Sequence, residues 1–214
     1  MSTTIPPASI PAAPAPVTVS PLLVPRLSRL TVAEYDRMTE VGAFASGEDL
    51  ELIEGLLVTK RVRDNPHIVA CKLGLEALQR IAPQGWHVAK EDPIVASRWS
   101  KPEPDLALIR GKTLDYVSRG ITTHDAALVV EVADSSLPID RDVKARLYAA
   151  GGVPVYWIVN LVDDLVEVYS DPDPLQGYQT RRDHRRGDSI PVFADGRELG
   201  LAAVEELLPP TETA

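Results

Sequence analysis

A single cysteine, Cys71, stands in 214 residues. It excludes an intramolecular disulfide and a zinc site built from cysteines. It suits a reducing compartment, so a cytoplasmic location is expected. Basic residues are also few: 22 Lys and Arg face 31 Asp and Glu, for a net charge of -9. Duplex-binding proteins usually carry a basic surface, so this balance argues against strong non-specific affinity for nucleic acid, although a local basic strip can still act. No apolar run reaches the roughly 18 residues of a membrane-spanning helix. Charge is absent from Met1 to Pro25, where Pro, Ala, Ser and Thr dominate. That segment lacks the basic start and apolar core of a secretion signal. Proline at this density disfavours helix and sheet. The expected organisation is a Pro/Ala-rich tail over 1–25, one domain over 26–209 and a short tail over 210–214. A hydrophobic content of 44% is enough to build one core.

Within the domain, Thr31 and Glu34 form a capping box, and Tyr35, Met38 and Val41 continue one helical face. Leu50 to Lys60 reads as a hairpin turning at Glu54-Gly55. Glu51 alternates with Leu50 and Leu52 and so points to the opposite face. Asn65-Pro66 predicts a helix start, with Asn65 as N-cap and a stripe of Val69, Leu73, Leu78 and Ile81. His67 falls in its first turn, as a partly packed histidine or as a contact to phosphate or carboxylate. Trp86–Lys90 and 93–97 read as short strands. Pro102 and Pro104 cannot sit inside a sheet, so Asp105 enters the next strand, Leu106–Arg110, at its first position. Residues 111–125 read as a polar connector.

The stretch from Ala126 to Asn160 organises the rest. A-A-L-V-V-E-V-A reads as a strand buried on both faces, with one charge, Glu131, inside it. An unpaired ion there costs several kcal/mol, so a cation or a wet cleft must adjoin it. A helix follows, with Pro138 at its start, Val143, Leu147 and Tyr148 on its apolar face and Gly151-Gly152 at its stop. It carries Lys144. V-P-V-Y-W-I-V-N is a second apolar strand, completing a βαβ-like unit. Further on, Leu165–Tyr169 and Tyr178–Arg182 form a hairpin. Arg181, Arg182, His184, Arg185 and Arg186 make the one dense basic run, a solvated face or a phosphate contact. Residues 201–208 read as a closing helix.

Asp105, Glu131 and Lys144 suit phosphodiester chemistry. Two carboxylates from neighbouring strands can share Mg²⁺, which takes carboxylates, waters and phosphate oxygens. An ammonium group steadies developing charge. Glu51 would add a third acid. Periodicity alone favours a simpler alternative, Asp140 pairing with Lys144 at i,i+4.

The strings P-D at 104–105, E-V-A-D-S-S at 131–136, D-x-x-x-K at 140–144 and Y-A-A-G-G-V-P-V-Y-W-I-V-N resemble the Uma family of restriction-endonuclease-like proteins, in the PD-(D/E)xK nuclease superfamily. L-T-V-A-E-Y, L-E-L-I-E-G-L-L-V and His67 in N-P-H fit as well, over roughly 30–208. The resemblance implies an α/β fold, with a mixed central sheet flanked by helices and an added N-terminal helix and β-hairpins. It implies Mg²⁺-dependent cleavage of nucleic acid, with DNA as the expected partner and Mn²⁺ as a substitute ion. Asp105 and Glu131 would hold the metal with the Val132 backbone carbonyl. Lys144 and Glu51 would join them in catalysis, and His67, Arg181 and Arg182 would contact substrate. Pairing into a homodimer would suit cutting of both strands. The chain departs from the superfamily pattern at Ala133, where a lysine is usual, and Lys144 is the expected substitute. It departs again at Asn160, where an aspartate is usual and the change reads as peripheral. A nuclease-like scaffold that binds nucleic acid or a protein without cutting is the alternative function.

Overall fold

The computed structural model describes Val24 and residues 27–44, 49–60 and 64–210. The expected tails over 1–25 and 210–214 lie almost wholly outside those residues. Thr31 caps α1 (Val32–Glu40) through the reciprocal Glu34 capping box. The hairpin β1 (Leu50–Ile53) and β2 (Leu56–Thr59) follows. Glu54 and Gly55 turn it with φ of 51° and 81°, the left-handed pair that a tight hairpin needs. Next come α2 (Asn65–Ile81), β3 (Trp86–Lys90), β4 (Ile94–Val95), β5 (Leu106–Arg110), β6 (Ile121–Thr122) and β7 (Ala126–Ala133). The crossover comprises α3 (Leu137–Ile139), a wider π-helical turn at Asp140–Lys144, and α4 (Ala145–Ala150). Then follow β8 (Val155–Asn160), β9 (Leu165–Asp173), β10 (Gly177–Arg185), β11 (Ser189–Ala194) and β12 (Arg197–Ala203).

Six strands form one sheet in the order β10-β9-β8-β7-β5-β3. β7 and β8 run parallel across the helical crossover, and the other neighbours are antiparallel. All eight residues of β7 are buried, because both sheet faces are covered. On one face Leu128, Val130 and Val132 meet Ala70, Cys71 and Leu78 of α2, with Ile190 and Val192 of β11. On the other, Val129 and Ala133 meet Leu137, Ala145 and Tyr148 of the crossover. Alternation places Glu131 on this second face, beneath the crossover.

Several expectations are corrected. The N-cap of α2 is Asp64, whose side chain accepts from the His67 N–H, and Asn65 and Pro66 fill the first two helical positions. The buried residues of α2 are Ala70, Cys71, Gly74, Ala77 and Leu78, while Val69 is exposed. Small residues are used because the helix lies close on the sheet. A Cβ at Gly74 would come within 2.9 Å of Leu106 Cδ1. The crossover does not bury Val143 and Leu147. Its inward line is Asp140, Lys144, Tyr148 and their neighbours Ala145 and Ala149. The 111–125 connector contains β6, which pairs in parallel with β4. The closing helix at 201–208 is not present. Arg197–Ala203 is a strand paired with β11, and only Val204–Glu206 makes a helical turn.

Candidate active site

Strand register brings the first two acids together. Leu106 pairs with Val130, so one step further Asp105 comes opposite Glu131 on the same face. Asp105 Oδ2 accepts from the Val132 N–H at 2.8 Å, continuing the ladder with a side chain where the β5 backbone has ended. The crossover then lowers Lys144 onto the pair. Its Nζ donates to Glu131 Oε1 at 3.0 Å. It also lies 3.5 Å from Glu51 Oε1 and 3.9 Å from Asp140 Oδ1. The i,i+4 contact with Asp140 is therefore the longest of three, and Lys144 is the hub of an acidic cluster rather than half of a helix-surface pair.

Glu51 arrives from β1, and its other oxygen accepts from the Glu103 N–H at 3.2 Å. Docking of the hairpin fixes it there. Gly55 N–H donates to Trp99 O at 2.6 Å, Glu54 N–H to Ser100 Oγ at 2.9 Å and Lys101 N–H to Leu52 O at 2.7 Å. Tyr148 O–H donates to Glu131 Oε1 at 2.8 Å. Sequence reasoning gave Tyr148 only an apolar role. Its spacing of four from Lys144 and eight from Asp140 was the available signal.

Glu51, Asp105, Glu131, Asp140 and Lys144 line a pocket of 180 Å³, together with Val132, His67, Ser136 and Lys60, while Tyr148 lies behind Glu131 and outside that lining. Burial pushes Glu131 up to about 8, against the pull of Lys144 and with the help of Asp140, Asp105 and Glu51. Burial likewise lifts Asp140 to about 6. Burial also opposes the charge on Lys144, but Glu131, Glu51 and Asp140 outweigh it and hold the ammonium protonated. Burial works against the charge on Asp105 too. There the His67 ring and the Val132 N–H prevail, and the carboxyl sits below its usual range. With Glu131 ionised, Glu51, Asp105, Glu131 and Asp140 bring more charge than Lys144 balances, and Lys60 is engaged by Glu103, an arrangement that could take up a divalent ion.

His67 Nε2 lies 3.5 Å from Asp105 Oδ2, and its Nδ1 lies 3.5 Å from Cys71 Sγ. Donor atoms of His67, Cys71 and Asp105 fall within 4.8 Å of one another, a grouping that cysteine counting had set aside. The two ring nitrogens face different partners, however, so the ring bridges Asp105 to the buried Cys71. Arg181 and Arg182 lie elsewhere, on β10 and outside the lining of this pocket. Arg181 pairs with Asp183 and lies 3.4 Å from the fully buried Glu167. Arg141, Tyr169 and Asn160 also donate to Glu167. Asn160 is thus no peripheral substitution. Its amide donates to Glu167 and Asp163, and its Oδ1 accepts from the N–H groups of Val162 and Asp163.

A mixed sheet with acids at the ends of adjoining central strands and a parallel crossover supplying a lysine is an α/β fold of the restriction-endonuclease-like class. The model of the Uma2 family, described as "Putative restriction endonuclease", matches residues 32–203, and the chain belongs to that family. The crystal structure of a protein described as a putative nuclease from Anabaena variabilis ATCC 29413 is similar, with a TM-score of 0.62 at 14% identity. The match covers 83% of this chain and 97% of that one. No curated protein matches the chain. Among the described residues, no helix is long and apolar enough to cross a membrane.

Proposed function

We propose that the chain is an Mg²⁺-dependent endonuclease of the PD-(D/E)xK type that hydrolyses phosphodiester bonds of DNA, with Mn²⁺ able to replace Mg²⁺. The observation that carries this reading is the buried cluster of Glu51, Glu131 and Asp140 around Lys144, with Asp105 opposite Glu131 on the same sheet face. The donor set is hard oxygen, which suits Mg²⁺. Asp105 and Glu131 would hold the ion with the Val132 carbonyl. Extending the β5–β7 register puts Pro104 opposite Val132, and proline has no N–H to offer that carbonyl.

When bound, Mg²⁺ lowers the pKa of coordinated water and offsets charge on the phosphoryl group. Lys144, held protonated, supplies hydrogen bonds to the attacking oxygen and to charge growing on the phosphate. It replaces the strand lysine that Ala133 lacks. Glu51 holds Lys144 toward the pocket, and Tyr148 orients Glu131. His67 secures Asp105 and stands where a phosphate oxygen would enter. Cutting both strands of a duplex calls for two such sites, so a homodimer belongs to the proposal.

The test is plasmid nicking in Mg²⁺ and in EDTA, with calorimetry of metal binding. Wild-type protein nicks only with metal, and Asp105→Ala removes both nicking and metal binding. Equal nicking by the two proteins would overturn the reading. Metal-independent DNA retention without cleavage would favour a non-cutting scaffold.

A further inference from the structure

We propose that the surface formed by the exposed Arg29 and Arg98, stacked on the half-buried Trp99, is a platform that binds the phosphodiester backbone of a nucleic-acid strand leading to the acidic pocket. It rests on the nuclease reading of that pocket. The guanidinium carbons of Arg29 and Arg98 lie 4.8 Å and 4.5 Å from the centroid of the Trp99 ring. Both arginines are exposed, and neither makes an ion pair among the described residues. Glu34, whose carboxylate feels the charge of Arg98, is committed to the α1 capping box. In the basic run at 181–186, Arg181 is held by Asp183 and Glu167, and Arg186 by Asp164. Arg182 and Arg185 there are exposed and make no ion pair among the described residues, but they are not stacked on a ring as Arg29 and Arg98 are on Trp99.

Stacking fixes each planar guanidinium and leaves its N–H edges for phosphate oxygens. The ring is covered by the two guanidinium groups it orders, so the contact offered is to the backbone, through paired N–H donors. The position matches the pocket's needs. Carboxylates alone repel a phosphodiester, so attraction must come from nearby. Trp99 O and the backbone of Leu30 bond the hairpin turn at Gly55. Glu51 lies four residues before that turn, about 13 Å along the strand. That span is about four nucleotide steps, so one strand could rest on the platform and reach the pocket. Arg29 and Trp99 also line a groove of 310 Å³ with Arg146 and Leu175. Arg146 is paired only with the exposed Asp142, a contact readily exchanged for phosphate.

The test is fluorescence anisotropy of labelled single-stranded and duplex DNA in EDTA, across a salt series, with plasmid nicking in parallel. Arg29→Glu/Arg98→Glu should weaken binding by about tenfold or more. It should also reduce the duplex salt slope by about 1.8, the value for two lost phosphate contacts. Arg29→Lys/Arg98→Lys guards against a folding artefact. It should keep most of the salt slope, because the charge is retained, while losing part of the affinity that the planar bidentate donors supply. Affinity within twofold of wild type in the Glu variant, or no binding by wild type, overturns the platform. Metal-dependent nicking with unchanged binding sinks the platform and leaves the nuclease. Lost binding without any nicking sinks hydrolysis and leaves the platform.

Discussion

At the scale of single residues, Glu131 sets the pH behaviour of the protein without metal. Its carboxyl titrates near 8 in the fold and from a usual value of 4.5 unfolded. Between those values the native state holds more protons than the unfolded chain, so stability falls as pH rises. Asp140, lifted from 3.8 to about 6, adds a smaller effect of the same sign in its own window. The loss attributable to Glu131 is on the order of 4 kcal/mol. In EDTA the melting temperature should drop by roughly 10 °C from about pH 5 to about pH 8.5. Glu131→Gln should flatten most of that slope, as read by scanning fluorimetry. An equally steep slope in the variant would assign the effect to another group. Asn160 makes a sharper structural case. Asn160→Asp would replace an amide that donates to Glu167 and Asp163 with a third carboxylate. Stability should fall by about 3 kcal/mol, the range for breaking a buried charged network, as measured by urea denaturation. Unchanged stability would mean that Arg141 and Arg181 absorb the extra charge. The special status of Glu131 was legible in the sequence, as one acid in an aliphatic run. The network around Asn160 was not, because Arg141, Asn160, Glu167 and Arg181 come from four elements and meet only through sheet register and the docking of the crossover.

At the scale of elements, the site depends on two short devices. One is the π-helical turn at Asp140–Lys144, which keeps both residues buried while Arg141 reaches Glu167. The other is the β1–β2 turn. Gly55 has φ of +81°, and a Cβ there would lie 2.6 Å from Arg29 Cβ. Gly55→Ala should therefore cost about 1–3 kcal/mol from backbone strain and displaced packing. Because this turn docks the strand that carries Glu51, metal affinity should weaken in the same variant. Scanning fluorimetry and calorimetry check the two effects. Weakened stability with unchanged metal affinity would show that Glu51 is held from its own end of the strand. Sequence patterns resolved the elements with one clear periodicity: β7, β8, and the β9–β10 hairpin. They failed where one apolar set fits two periods. Ala202, Val204, Leu207 and Leu208 are buried whether 201–208 is helical or extended, and only pairing with β11 decides. They also failed for β6, which exists through its contact with β4. The π turn was invisible because its spacing differs from a helix by part of a residue per turn.

At the scale of the whole molecule, the surplus of negative charge is concentrated where it does most work. The chain carries -9 overall, and Glu51, Asp105, Glu131 and Asp140 sit buried in one pocket with one buried lysine, Lys144, while Lys60 at its wall is held by Glu103. On the metal-binding proposal, ion binding and folding are linked through this cluster. A ligand at 100 times its dissociation constant adds about 2.7 kcal/mol. For a chain of this size that corresponds to roughly 5–11 °C in melting temperature. Mg²⁺ or Mn²⁺ should raise the melting temperature of wild-type protein by that amount, and more at about pH 8.5 than at about pH 6, because the ion competes with the proton on Glu131. Asp105→Asn should abolish the shift with little loss of stability in EDTA, since its amide oxygen can still accept from the Val132 N–H. Scanning fluorimetry across a metal series measures both. A metal shift that survives Asp105→Asn would place the ion elsewhere. An absent shift in wild-type protein would make Lys144 the permanent counter-ion of the pocket, and the acids would then be a structural network.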